Sequence, residues 1–126
     1  MSSMSSPFFS VIIPTFNRVS LLRETLCSVM SQTNPSFEVI VVDNKSEDGT
    51  EQMMIELCAH YKNIVYLRNT ENRERGYSRN RGIASARGKY ITLLDADDIF
   101  LPSCLEDALA VIKDTEPVFF GLNYGI

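Results

Sequence analysis

At 126 residues the chain has the length of one domain, and folding at that size buries roughly two-thirds of the surface of the unfolded chain. Hydrophobic residues make up 44% and charged residues 22%, an ordinary globular balance that excludes wholesale disorder. The formal net charge of −4 gives no bulk attraction to nucleic acid or to an anionic membrane. Apolar runs such as Val39 to Val42 are far too short to span a bilayer. Residues 1–6 lack the basic start and apolar stretch of a signal peptide. Three cysteines, Cys27, Cys58 and Cys104, form no CxxC pair. That pattern points to reduced thiols in a cytosolic setting and to no zinc site.

The elements alternate along the chain. Residues 1–7 are serine-rich and read as a flexible tail. Phe8 to Pro14 (FFSVIIP) is a buried strand, and Val19 to Gln32 is a helix with Leu22, Leu26, Val29 and Met30 on its apolar face. Asn34-Pro35-Ser36 is a break. Phe37 to Val42 (FEVIVV) is the most strand-like stretch, followed by turn and cap chemistry in Lys45 to Thr50. Glu51 to Tyr61 is a second helix, with Met54, Ile55, Leu57 and Cys58 available for its buried face. Asn63 to Arg68 is a third strand, Asn69 to Gly76 a polar loop, and Tyr77 to Ala86 a short helix stopped by Arg87-Gly88. Lys89 to Leu94 (KYITLL) is a fourth strand, ended by Asp95-Ala96-Asp97-Asp98. Pro102 to Lys113 reads as a helix with proline near its start, and Val118 to Leu122 has the composition of a fifth strand.

Strands alternating with helices imply parallel βαβ units, a Rossmann-like three-layer α/β/α domain. Such sheets bind ligands outside the carboxyl ends of their strands, near a switch point in strand order. Three polar clusters fall at those ends: Pro14 to Asn17, Asp43-Asn44 and Asp95 to Asp98. Between Arg68 and Lys89 there are seven basic and two acidic residues, a local +5. This segment is either a solvated basic surface or a cradle for a small polyanion.

Asp95-x-Asp97 after an apolar strand is the central constellation. Carboxylates this close repel, and a divalent cation relieves the repulsion. Hard oxygen ligands suit Mg²⁺ or Mn²⁺ and leave room for phosphate oxygens. The competing reading is helix capping by Asp97 or Asp98 ahead of Pro102. Asp43 is either a turn-forming residue or an acceptor for a donor group of a base or ribose. Arg79 is either a surface arginine or a two-pronged donor to a diphosphate.

Taken together, VIIPTFNR (Val11–Arg18), LLRETLCSVMSQT (Leu21–Thr33), FEVIVVDNKSEDGT (Phe37–Thr50), GYSRNRGIASARGKYITLLDADD (Gly76–Asp98) and Leu101-Pro102 resemble the nucleotide-binding part of family 2 inverting glycosyltransferases of GT-A fold. The resemblance implies that Pro14, Thr15 and Phe16 line the nucleotide base and that Asp43 contacts it. Many members have a second acid at the next position, where this chain has Asn44. The resemblance further places Asn44, Arg79 and Ala96 at the nucleotide, Asp95 near its ribose, and Asp97, with Asp95, at a Mn²⁺ or Mg²⁺ ion. It implies a nucleotide-sugar donor, with a UDP-sugar favoured, and a glycan, lipid-linked or polysaccharide acceptor. It also implies a location in the cytoplasm, including the cytoplasmic face of a membrane.

Family members run well beyond this length, and their catalytic base lies in the acceptor half. The base is therefore expected beyond Ile126, and the chain is expected to be a fragment that binds donor without transferring it. Self-association through apolar surface around Val118 to Leu122 is expected with it. The alternatives are a non-catalytic nucleotide-sugar-binding module and a phosphoacceptor signalling domain. The latter wants an acidic pair after the first strand, where Pro14-Thr15 stands. A dinucleotide dehydrogenase is disfavoured, because no GxGxxG follows that strand.

Overall fold

The computed structural model describes residues 7–33, 36–115 and 124–125. In chain order the elements are β1 (Phe9–Thr15), α1 (Val19–Met30), β2 (Phe37–Asp43), α2 (Thr50–His60), β3 (Ile64–Arg68), α3 (Arg75–Ser85), β4 (Tyr90–Leu93), β5 (Ile99–Phe100), α4 (Cys104–Thr115) and β6 (Tyr124–Gly125). The first four strands form one sheet in the order β3-β2-β1-β4, with every pair parallel. The chain builds outward from β1 to β2 and β3, then crosses back to the other side of β1. The switch point is thus between β1 and β4.

Side-chain alternation divides the core into two faces. Val11 and Ile13 of β1 and Val39 and Val41 of β2 pack with Leu22, Leu26 and Val29 of α1, Met53 and Met54 of α2, and Leu105, Ala108 and Ile112 of α4. Ile12, Ile40 and Val42 point to the opposite face. There α3 comes so close at Gly82 that an added Cβ would lie 2.4 Å from Ile12 Cγ2 and 3.2 Å from Val42 Cγ2. Three layers result, as the alternation of elements implies.

The β1–β2 ladder runs to Thr15↔Asp43, whereas the β1–β4 ladder stops at Ile12↔Leu93. One further bond, from the Leu94 N–H to the Ile12 carbonyl, closes it. Past that point β1 has no ladder partner on the β4 side among the described residues, and the two strands part into a crevice. Pro14, which has no N–H to give, falls in this stretch.

At the other end of the sheet a buried carboxylate ties the α3–β4 turn to the strands. Glu38 is 2% exposed and lies beside Ser10 across the β1–β2 ladder. The Ser10 hydroxyl donates to Glu38 Oε2 at 2.6 Å, and the Arg87 N–H donates to the same oxygen at 2.7 Å. Arg87 Nε reaches Oε1 at 3.3 Å, and the Gly88 N–H donates to Ser10 Oγ at 2.8 Å.

Several sequence expectations are corrected. Of the tail expected over residues 1–7, Pro7 is buried and residues 1–6 lie outside the described residues. The buried face of α2 is Thr50, Met53 and Met54, while Ile55 is 56% exposed, because the helix starts at Thr50 and its inward stripe is set by packing on β3. Leu57 and Cys58 are half-buried at the rim of that cluster. Helix α3 begins at Arg75, two residues before the expected start at Tyr77. The short strand β5 has no counterpart among the elements expected from sequence, and it pairs antiparallel with β6. Its presence separates the acidic cluster from α4, so Asp97 and Asp98 do not cap that helix. The proposed strand Val118 to Leu122, and self-association through it, lie outside the described residues.

Candidate active site

The crevice between β1 and β4 opens into a cavity of about 620 Å³ at the carboxyl edge of the sheet. Pro14, Thr15 and Phe16 line it from β1, Asn44 from the end of β2, and Asp95, Ala96 and Asp97 from the end of β4. Seven sequence-predicted site residues therefore meet there. Arg18, Asn72, Arg75 and Ser78 complete the wall. None of these four was assigned a role from sequence, although Arg18 ends the VIIPTFNR motif and Arg75 lies in the basic segment.

The acidic cluster has three members. One carboxylate oxygen from each of Asp95, Asp97 and Asp98 lies within 4.8 Å of the others. The loop that carries them is pinned from α1. The Thr25 hydroxyl is shared between the carbonyls of Ala96 at 3.0 Å and Asp98 at 2.7 Å. Ser28 Oγ accepts the Phe100 N–H at 3.0 Å, and the Gln32 side chain donates to the Leu101 carbonyl at 2.9 Å and accepts the Leu105 N–H at 2.9 Å. Thr25, Ser28 and Gln32 stand at i, i+3 and i+7, one polar stripe beside the apolar one. That spacing is visible in the sequence, but its partner segment is not. Asp98 thus joins the cluster instead of merely capping a turn.

Two arginines meet this cluster. Arg18 Nη1 lies 3.0 Å from Asp97 Oδ2, and Arg79 Nη2 lies 3.6 Å from Asp95 Oδ1. Arg79 therefore stands at the acidic rim, next to the residues that line the cavity. Thr15 Oγ1 is buried in the cavity wall and has no hydrogen-bond partner among the described residues. A buried hydroxyl without a partner is costly unless something completes it.

Asp43 behaves differently from its neighbours. Its side chain is wholly buried, and it is absent from the cavity wall. It accepts the Ser46 N–H at 2.9 Å and the Tyr66 hydroxyl, with Arg68 Nε at 3.9 Å. Burial, with the Asp43 carboxylate adding to it, pushes the Tyr66 hydroxyl well above the usual phenol range, so Tyr66 stays a neutral donor. Asp43 is thus turned towards β3 and the β2–α2 loop. That loop is stitched to β1–α1: Asn17 N–H donates to Ser46 Oγ at 2.7 Å, and Glu47 N–H donates to Asn17 Oδ1 at 2.8 Å. Asn17 and Lys45 both adopt left-handed backbone, φ 50° and 68°, as tight polar turns require.

Asn44 acts as a two-way backbone clip. Its Oδ1 accepts the Arg73 N–H at 2.8 Å and the Asn69 amide at 2.9 Å, while its Nδ2 donates to the Arg73 carbonyl at 2.7 Å. An aspartate keeps the acceptor and loses the donor. Asn44→Asp is expected to cost about 1 kcal/mol, a typical hydrogen-bond contribution. Faster amide exchange confined to residues 69–73 checks it, and an unchanged exchange pattern would remove the clip.

A sequence profile of the family described as Glycosyl transferase family 2 matches residues 10–125. An uncharacterized glycosyltransferase of Methanocaldococcus jannaschii is 36% identical over 120 residues, covering 94% of this chain and 41% of the relative. The Bacillus subtilis protein TuaG, named as a glycosyltransferase of teichuronic acid biosynthesis, is 32% identical over 95% of this chain and 48% of its own length. Among solved structures, residues 1–349 of Staphylococcus aureus TarS in complex with UDP superpose with a TM-score of 0.81 at 33% identity, over 86% of this chain and 33% of that one. The mannosyltransferase PcManGT of Pyrobaculum calidifontis, in complex with GDP-Man and Mn²⁺, gives 0.78 at 27% identity, over 89% and 34%. The chain spans less than half the length of these relatives. The profile match over residues 10–125, a parallel sheet switching at β1 and β4, and superposition on GT-A glycosyltransferases agree, and the chain belongs to glycosyl transferase family 2.

Proposed function

We propose that this chain supplies the donor side of a glycosyltransferase that moves a sugar from a nucleoside-diphosphate donor to a hydroxyl of a glycan, lipid or polysaccharide, with inversion and with the help of a divalent cation. The observation that carries the reading is the juxtaposition, at the sheet's switch point, of three clustered carboxylates and a polar cavity. The donor set fits a hard cation, since all three groups offer carboxylate oxygens, and Asp95 and Asp97 are open to solvent. The unsatisfied Thr15 hydroxyl beside it fits a polar ligand in the cavity. Asp97, Asp95 and Asp98 would hold Mn²⁺ or Mg²⁺. When bound, the ion offsets the charge that develops on a departing diphosphate.

The chain's own residues take the remaining tasks. Phe16 and Pro14 offer an apolar wall to a base, and Thr15 a hydroxyl. Arg75 and Arg79 offer planar two-pronged donors to phosphate oxygens. A UDP-sugar is favoured, supported by the UDP complex of TarS, although the GDP-Man complex of PcManGT makes GDP the second candidate. The name of TuaG supports a cell-surface polysaccharide acceptor, and we extend that to action at the cytoplasmic face of a membrane. No helix among the described residues is long and apolar enough to cross one. The carboxylates of the cavity are all placed on the donor side, so the base for the acceptor proton is assigned to none of them.

The test is equilibrium binding of UDP-GlcNAc, UDP-glucose and GDP-mannose with and without Mn²⁺, followed by transfer of radiolabel to oligosaccharide and lipid acceptors. Binding of at least one donor that depends on Mn²⁺ is expected. Absence of such binding for every donor would reject the reading, and binding without transfer in any form of the protein would leave a donor-binding module.

A further inference from the structure

The mouth of the cavity holds a positive group where the proposed function places a cation. Arg18 comes from the β1–α1 loop and Asp97 from the segment after β4, 79 positions apart in the chain, yet their side chains meet at 3.0 Å. Both side chains are 47% exposed, and both residues line the cavity. Arg79 reaches Asp95 from α3. Two of the three clustered carboxylates therefore each carry a guanidinium. The arginines offset the repulsion that three carboxylates within 4.8 Å would otherwise create.

Arg18 is not needed to hold the acidic loop in place. Thr25 pins the Ala96 and Asp98 carbonyls from beneath, and the Asp98 N–H to Asp95 carbonyl bond at 3.0 Å closes the turn. What Arg18 does is occupy Asp97 Oδ2, an oxygen that a cation at this cluster would use. An exposed ion pair of this kind is weak, worth only a few-fold in an equilibrium constant, so a ligand can break it. Once released, the guanidinium remains tethered at the wall of a cavity proposed to take a diphosphate.

We propose that Arg18 is an exchangeable counter-charge that couples the two ligands. Without an anion in the cavity it competes with the metal for Asp97. With a nucleoside diphosphate present it pairs with phosphate oxygens and yields Asp97 to the cation. Metal and nucleotide then tighten each other's binding, by the same factor in both directions. This inference rests on the reading of the cavity as a nucleoside-diphosphate site.

The experiment is calorimetric titration of Mn²⁺ into the full chain, alone and with saturating UDP or GDP, for the parent protein, Arg18→Gln and Arg18→Lys. Removing the competing charge is expected to tighten binding of Mn²⁺ alone by about threefold to tenfold. The factor by which UDP or GDP tightens Mn²⁺ is expected to fall in Arg18→Gln by at least as much, with Arg18→Lys between the two. Unchanged or weaker binding of Mn²⁺ alone by Arg18→Gln would overturn the inference and make Arg18 a fixed tether. Unchanged coupling would overturn it equally. In both cases Mn²⁺-dependent nucleotide binding by the parent protein would leave the donor-site reading standing. A parent protein that shows no such binding would overturn both.

Discussion

Asp97→Asn is expected to remove the Mn²⁺-dependent part of UDP or GDP binding while leaving the fold intact. Asparagine keeps the size and one oxygen of the side chain but gives up the charge that a hard cation requires. Loss of an outer-shell partner costs on the order of 10–100-fold in metal affinity, and a direct ligand should cost at least about that. The fold is insulated from the change. Asp97 is exposed, and its loop is held through the Ala96 and Asp98 carbonyls by Thr25. Surface replacements of this kind stay within about 0.5 kcal/mol. Calorimetry with and without Mn²⁺, beside a thermal melt, separates the two. A variant that binds UDP and GDP with the metal dependence of the parent protein would take Asp97 out of the cation site.

The largest stability effect is expected far from the cavity, at Gly88. An added Cβ would lie 2.6 Å from Ser10 Oγ and 2.7 Å from both the Phe9 carbonyl carbon and the Ser10 nitrogen. Two of those atoms are backbone of the central strand, so neither side can yield by turning a side chain. The α3–β4 turn must back away, and the Gly88 N–H to Ser10 Oγ bond goes with it. Ser10 is one of the donors to the buried Glu38 carboxylate, which Arg87 also serves from the same turn. Overpacking costs about 1–3 kcal/mol, and a disturbed buried hydrogen bond adds about 1–3 kcal/mol. We expect Gly88→Ala to lose about 3 kcal/mol and to lower Tm by roughly 10 °C. Gly76→Ala is the matched control. Its added Cβ meets nothing within 4 Å and sits in the first turn of α3, where alanine favours the helix by up to about 1 kcal/mol. Equal melting of the two variants would show that the close approach at Gly88 does not constrain the fold.

The parts legible in the sequence are those that local periodicity determines. Val11 to Ile13 and Val39 to Val42 are continuous β-branched runs because parallel strands in the middle of a sheet are buried on both faces. Leu22, Leu26 and Val29 mark the buried stripe of α1 by their spacing alone. The rule that ligands sit at carboxyl ends of parallel strands then brings Pro14, Thr15, Phe16, Asn44, Asp95, Ala96 and Asp97 to one edge before any coordinates are known. Motifs in family order identified the family.

Packing between distant segments decided the rest. Ile55 looks as suitable for burial as Met54, and only the docking of α2 on the sheet turns it outward. Strand β5 has two residues and exists because β6 pairs with it, so no local pattern announces it. Asp43 ends β2 and Asp95 stands just past β4, at the same edge of the sheet, yet Tyr66, Ser46 and Arg68 surround the first while solvent meets the second. Arg18 acquires its meaning from a carboxylate 79 positions away. By itself the sequence determined the four strands of the parallel sheet, its helices, the family and the edge that carries the candidate site, because each follows from spacing within a short window. Only the tertiary structure decided which polar side chains face the cavity and which are spent on the scaffold, because that depends on partners that the fold brings together from distant parts of the chain.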